Sequence, residues 1–259
     1  MINQIGIYAK ANRFYLNDKE IGESGGSVDN MPLRGKKIAF LGDSITAASN
    51  NYVSIFEILS GAIVSNYSIA GATYGAGGNA STRLAVQAES LVGDEDIVIM
   101  MAGTNDFGYG HIGVELGDVY SVDENNAIIP TTGTTQADWS TCRGVHDAIN
   151  AIYAKKSTMQ IFIITPPQKG VDTSGGNRYS GWDKNSKGKY LYEYVDAIKK
   201  VAQLYGVPVI DQFGNSGINP MIDGMKAEYF NADGTHPNAK YHRLLAHWLY
   251  FNIVNWLRA

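Results

Sequence analysis

The sequence predicts an α/β fold in which one five-stranded parallel sheet carries helices on both faces. Two observations lead there. Short, nearly continuous apolar runs stand at residues 37–41, 62–68, 97–101, 160–165 and 207–211. The segments between and after them place apolar residues at helical spacing, so strand and helix alternate along the chain. A strand that is apolar at almost every residue needs cover on both faces, which crossover helices provide. With 259 residues and a hydrophobic fraction of 44%, the chain can bury the core of one such domain.

Residues 1–31 read as an N-terminal appendage or linker, and 32–259 as the main domain. Tyr8, Phe14, Tyr15 and Leu16 suit a short strand or hairpin, and residues 22–27 are rich in glycine and serine. The first run, 37–41, stops at Gly42. Residues 52–60 set Tyr52, Ile55, Phe56 and Leu59 on one helical face. After the second strand, 81–92 repeats that spacing through Leu84, Ala85, Ala88, Leu91 and Val92. After the third, 138–156 does so through Val145, Ile149, Ile152 and Tyr153. Pro166 and Pro167 end the fourth strand, and 186–205 is helical through Leu191, Tyr194, Val195, Ile198 and Tyr205. The fifth strand leads to a last helix, 239–256, with Tyr241, Leu244, Leu245 and Trp248 on its inner face. Three connections are long: 102–137, 166–185 and 212–238. Each follows the carboxyl end of a strand, the edge where open α/β sheets bind ligands.

Composition excludes several roles. A net charge of -4 gives no basic excess for binding nucleic acid. The single cysteine, Cys142, cannot form an intramolecular disulfide and reads as a buried thiol. No stretch approaches the ~20 apolar residues of a membrane span, and residues 1–30 hold no run of signal-peptide type. The expectation is a chain without membrane partners that is cytoplasmic or part of a larger particle or exported protein. No pair of histidines with a nearby carboxylate has metal-ligand spacing, so no metal is expected.

Four small polar and glycine clusters carry the chemistry. Gly42-Asp43-Ser44-Ile45-Thr46, residues 68–71 and Gly103-Thr104-Asn105-Asp106 follow the first three strands. Asp233-Gly234-Thr235-His236-Pro237 precedes the last helix. All four should meet at one sheet edge. Acyl transfer needs a nucleophile, a base, an orienter and oxyanion donors. Ser44 stands where a strand turns into a helix. Its amide, that of Gly71 and the Asn105 side chain are candidate donors. Asp233 and His236, three apart, let a carboxylate hold one ring nitrogen while the other faces the serine. Pro237 suits the first turn of the helix.

At these residues the chain resembles the SGNH (or GDSL) hydrolase family, named for Ser, Gly, Asn and His in four blocks. Gly42-Asp43-Ser44 is similar to the nucleophile block, and residues 66–71 to the glycine block. Gly103-Thr104-Asn105-Asp106 is similar to the asparagine block, and Asp233-Gly234-Thr235-His236-Pro237 to the last. The resemblance runs over 37–256. It implies a flavodoxin-like three-layer α/β/α sandwich and ester hydrolysis without metal or cofactor. It also implies Ser44 as nucleophile, His236 as base and Asp233 as orienter, with Ser44, Gly71 and Asn105 forming the oxyanion hole.

Other readings weigh against each signal. A Ser after Gly-Asp is often only a turn or helix cap; the three further blocks favour catalysis. Asp43 and Asp106 read as structural. His146, His242 and His247 lie on helices and read as packed or surface residues, whereas His111 sits in a long loop. Gly22-Glu23-Ser24-Gly25-Gly26 echoes a protease motif in the wrong context, and Gly75-x-Gly77-x-x-Ala80 is a loose dinucleotide fingerprint. Tyr74, Phe107, Tyr109, Tyr179 and Trp182 fall in strand-end loops, where they either stack on a sugar or pack the loops. They tilt the expected substrate toward a small acyl group on a polar alcohol, best an acetylated carbohydrate. A lysophospholipase, thioesterase or arylesterase is the runner-up, with an acyltransferase and a silent binding module as further alternatives.

Overall fold

The computed structural model describes residues 7–10, 13–16, 19–20, 31–77, 79–108, 113–122, 124–125, 127–129, 139–173 and 179–257. Strands β1 (Ile7–Lys10), β2 (Arg13–Leu16) and β3 (Lys19–Glu20) form an antiparallel sheet of their own, with Tyr8 opposite Tyr15. The main sheet holds β4 (Lys37–Gly42), β5 (Ile63–Asn66) and β6 (Ile97–Met101). A two-stranded ribbon, β7 (Ser121–Val122) and β8 (Ile128–Ile129), precedes its last strands, β9 (Gln160–Ile164) and β10 (Val209–Ile210). The order is β5-β4-β6-β9-β10, all parallel, with Phe40, Ile99 and Phe162 in register across the centre. This is the flavodoxin-like order, whose switch point lies between β4 and β6.

Side chains alternate between two cores because successive strand residues point to opposite faces. Ala39, Leu41, Val98, Met100, Ile161 and Ile163 meet α3 (Leu84–Glu89), α5 (Thr141–Lys155) and α6 (Leu191–Leu204). Ile38, Phe40, Ile99, Met101, Phe162 and Ile164 meet α2 (Tyr52–Ser60) and α9 (Ala239–Trp256). The helix expected at Ser44 is the short α1 (Ser44–Ala47), and short helices also stand where the sequence suggested only loops: α4 (Thr104–Gly108), α7 (Gln212–Asn215) and α8 (Asp223–Tyr229). Cys142 is buried, as expected. Among the described residues no helix is long and apolar enough to cross a membrane.

Several expected boundaries shift for local reasons. The second strand is an edge strand: it spans four residues rather than seven, and Ile63 is 57% exposed. The helix expected over 81–92 breaks into a 3-10 turn, Ala80–Thr82, and α3, because the Leu84 amide donates to the Thr73 carbonyl (3.1 Å). α6 starts at Leu191, where the Glu193 carboxylate accepts from the Tyr190 amide (2.9 Å) in a capping box. α9 is capped by Asn238, whose side chain accepts from the Lys240 amide (2.9 Å), so Pro237 precedes the cap instead of entering the first turn. Its buried stripe runs Tyr241, Leu245, Leu249, Ile253, and Leu244 is 48% exposed.

Truncating the central ring, Phe162→Ala, should therefore cost about 3–5 kcal/mol of unfolding free energy. Ile63→Ser on the exposed edge should stay within about 0.5 kcal/mol. Urea unfolding of the two variants checks the difference.

Candidate active site

The turn that carries Ser44 is built by close packing. β4 ends at Gly42, where a Cβ would lie 2.5 Å from Thr46 Oγ1 and 2.8 Å from the Met101 carbonyl oxygen. The buried Gln87 side chain clamps this glycine: Oε1 accepts from its amide (2.8 Å) and Nε2 donates to its carbonyl (3.0 Å). Asp43 then caps α1, its carboxylate accepting from the Ile45 amide (3.0 Å), and Ser44 becomes the first residue of that helix. Burial pushes the Asp43 carboxyl up to about 7, against the pull of the Ile45 amide and His236.

His236 sits on a tight turn closed by a hydrogen bond from the Asn231 amide to its carbonyl (2.9 Å). Its Nδ1 lies 2.7 Å from Asp233 Oδ2, and its Nε2 lies 2.8 Å from Ser44 Oγ. Asp233 Oδ1 accepts from the amides of Thr235 (2.8 Å) and His236 (2.9 Å), so the carboxylate is fixed from both sides. A proton on Nδ1 facing the carboxylate leaves Nε2 to accept from the serine hydroxyl. Burial raises the Asp233 carboxyl, but the hydrogen bonds from His236 and Thr235 outweigh it and hold it at about 2. The hydrogen bond to Asp233 raises His236 above its ordinary value, partly offset by burial.

The other two blocks are stapled to this pair of turns. Asn105, on α4, donates one Nδ2 hydrogen to the Ala72 carbonyl (2.9 Å), which leaves its second hydrogen available. Gly71, next to Ala72, adopts φ 80°, a conformation glycine takes without a steric penalty. Among the described residues the amides of Ser44 and Gly71 donate to no acceptor. Asp106 is structural, as expected: it accepts from the amides of Tyr74 (3.0 Å) and Gly75 (3.0 Å) and from Thr141 Oγ1 (3.1 Å).

A cavity of about 320 Å³ opens over the site, lined by Thr104, Asn105, Gly108, Lys169, Asp172, Tyr179, Asp233, Thr235 and His236. Asn105, Asp233 and His236 thus share one cavity, with Ser44 joined through His236. Two expected substrate contacts are corrected. Tyr74 is fully buried in the core under α3 and α5, and Phe107 is fully buried beside Tyr179, Leu191 and Tyr194. Both pack loops, because their rings fill the space between strand ends and helices. Tyr179 lines the cavity, and its hydroxyl donates to the Gly108 carbonyl. Trp182 is half exposed on the loop that follows, outside the cavity lining.

Tyr109, His111 and the 22–26 motif lie outside the described residues. Gly75 and Gly77 serve packing: a Cβ on either would meet Val114 Cγ atoms at 2.5–2.6 Å. His146 is buried between Tyr205 Oη (2.9 Å) and the Val119 carbonyl (2.7 Å). His242 is buried and stacked on Tyr52, and burial pushes it down to about 4. Among the described residues no group of three or more His, Cys, Asp or Glu is arranged to hold a metal. Sequence reasoning missed Gln87, Lys169 and Asp172. The last two follow the carboxyl end of β9, a position that could have marked them.

The sequence profile of the GDSL-like lipase/acylhydrolase family matches residues 40–244. None of the curated proteins compared matches the chain. Among solved structures, a protein from Lactobacillus plantarum shares 23% identity at a TM-score of 0.68, covering 87% of this chain and 99% of its own. A possible lipase from Chitinophaga pinensis shares 20% at 0.60, covering 85% and 98%. A carbohydrate acetylesterase family member from Sinorhizobium meliloti shares 16% at 0.56, covering 84% and 97%. These likenesses agree with the flavodoxin-like fold, and the profile spans all four sequence blocks. The chain belongs to the GDSL-like lipase/acylhydrolase family, a family of ester hydrolases.

Proposed function

We propose that the protein is a serine O-acetylesterase acting on an acetylated carbohydrate, with Ser44 as nucleophile, His236 as base and Asp233 as the carboxylate that orients it. The observation that carries this reading is the continuous chain Ser44–His236–Asp233, at 2.8 and 2.7 Å, beside a cavity lined mainly by polar and charged residues. His236 Nε2 takes the hydroxyl proton as Ser44 Oγ attacks the ester carbonyl carbon. The amides of Ser44 and Gly71 and the second Asn105 Nδ2 hydrogen hold the oxyanion. His236 then returns the proton to the departing alcohol, and water, activated by the same nitrogen, releases the acid.

The wall chemistry favours a small acyl group. None of the lining residues is aliphatic. A long acyl chain gains about 0.8 kcal/mol per CH₂ buried against large aliphatic side chains, and none of these lines the cavity. Lys169, Asp172 and Thr235 instead offer donors and acceptors suited to a polyhydroxylated alcohol. The half-exposed Trp182 adds a face on which a sugar ring can stack. The similarity to a carbohydrate acetylesterase family member supports the same direction.

Acetate release from aryl acetates and acetylated glycosides tests the reading. Ser44→Ala should lower kcat at least about 10⁴-fold on every substrate, and Asn105→Ala about 100- to 1,000-fold. Turnover should fall from acetate to butyrate to octanoate esters; a preference for the longest chain would sink the acetylesterase assignment.

The pH profile gives an independent check. The base works when neutral, and Asp233 raises the His236 pKa. kcat/KM should therefore rise with pH through an inflection above ~6.5, the ordinary histidine value. Asp233→Asn should move the inflection down while lowering kcat about 10³- to 10⁴-fold. An unmoved inflection removes Asp233 from its assigned role.

A further inference from the structure

Lys169 stands out among the cavity residues. It follows β9 across Pro166 and Pro167, is 6% exposed, and lines the same cavity as Asn105, Asp233 and His236. Its Nζ donates to the Tyr179 carbonyl (2.8 Å) and lies 4.4 Å from the centre of the Tyr179 ring. The Gly181 amide donates to the Lys169 carbonyl (2.8 Å), which fixes the backbone beneath it. Among the described residues this ammonium has no carboxylate in ion-pair contact. A buried cation without a paired anion is costly to keep, so its place beside reacting groups calls for a use.

An ammonium has three N–H donors and no acceptor. One goes to the Tyr179 carbonyl, which leaves donor capacity for the cavity. An acetyl group offers a single acceptor, its carbonyl oxygen, and the proposed oxyanion donors already take that. Any further donor in the cavity therefore serves the alcohol half of the ester. A sugar hydroxyl, which both accepts and donates, suits a cavity that offers this ammonium together with the carboxylates of Asp172 and Asp233.

We propose that Lys169 is a specificity-determining residue whose ammonium donates to a hydroxyl oxygen on the alcohol side of an acetylated sugar. The inference rests on the carbohydrate reading above and adds to it the residue that reads the sugar.

The test compares wild type, Lys169→Met and Lys169→Arg on 4-nitrophenyl acetate, on a mono-O-acetylated methyl glycoside, and on deoxy analogues of that glycoside. The readout is the ratio of kcat/KM for glycoside over aryl acetate. Lys169→Met should lower this ratio about 10- to 100-fold, and Lys169→Arg should restore part of it. One deoxy analogue should cost wild type a similar factor and cost Lys169→Met little more, a coupling that a purely structural role does not produce. An unchanged ratio, with both substrates slowed equally, overturns the inference and leaves the carbohydrate reading intact. Wild-type cleavage of the aryl acetate without cleavage of the glycoside overturns both. Should Lys169→Met fail to fold, wild type and Lys169→Arg on the deoxy series decide: no deoxy position costing wild type 10-fold overturns the inference.

Discussion

All five strands of the main sheet run the same way, and the rest of the molecule depends on that constraint. Parallel strands need crossover helices, so every strand delivers its carboxyl end to one edge and the chain returns behind the sheet. Gly42, Met101 and Ile164 therefore end side by side, in register. The turns that follow β4 and β6 flank the switch point, where helices leave on opposite faces and a crevice opens. Ser44 follows one of these strands and Asn105 the other.

Putting these turns on one edge does not by itself fix their geometry. That task falls to buried polar groups bonded to backbone amides and carbonyls and, at Asp106, to a hydroxyl as well. Gln87 holds both polar atoms of Gly42, and Asp106 gathers two amides from the loop after β5 and a hydroxyl from α5. Such groups are costly to bury unpaired, which makes their fully bonded arrangement strongly preferred over loosened ones. The same principle shapes the turn of the proposed base, where Asp233 takes two amides and the ring of His236. A carboxylate held this way stays ionised and keeps the imidazole in one orientation.

The cavity reflects where the long connections settle. The loop after β9 brings Lys169, Asp172 and Tyr179 over the α4 turn, and the segment before α9 closes the opposite wall with Asp233, Thr235 and His236. Tyr74 and Phe107 lie beneath the surface, whereas Trp182 is half exposed. Phe107, Tyr179 and Tyr194 form a cluster that supports the loops, with only Tyr179 reaching the cavity.

Much of this was legible in the sequence. The runs at 97–101 and 160–165 announce central strands because residues covered on both faces must be apolar throughout, and 52–60 and 239–256 matched their helices end for end. Glycine, serine, asparagine and histidine blocks marked the proposed site because their backbone and side-chain chemistry is local. What lay beyond reach depended on neighbours distant in the chain. The exposure of Ile63 follows from the edge position of its strand, and the burial of Tyr74 and Phe107 from helices that pack over them. Lys169 is an ordinary lysine in the sequence; it becomes a buried cation only when the 179–181 loop folds across it. Local pattern determined which segments form strands and helices and which residues can do chemistry, because those depend on covalent neighbours. Tertiary packing alone decided which aromatics reach the cavity and which charge stands beside the proposed base, because burial and electrostatic field are set by residues far apart in sequence.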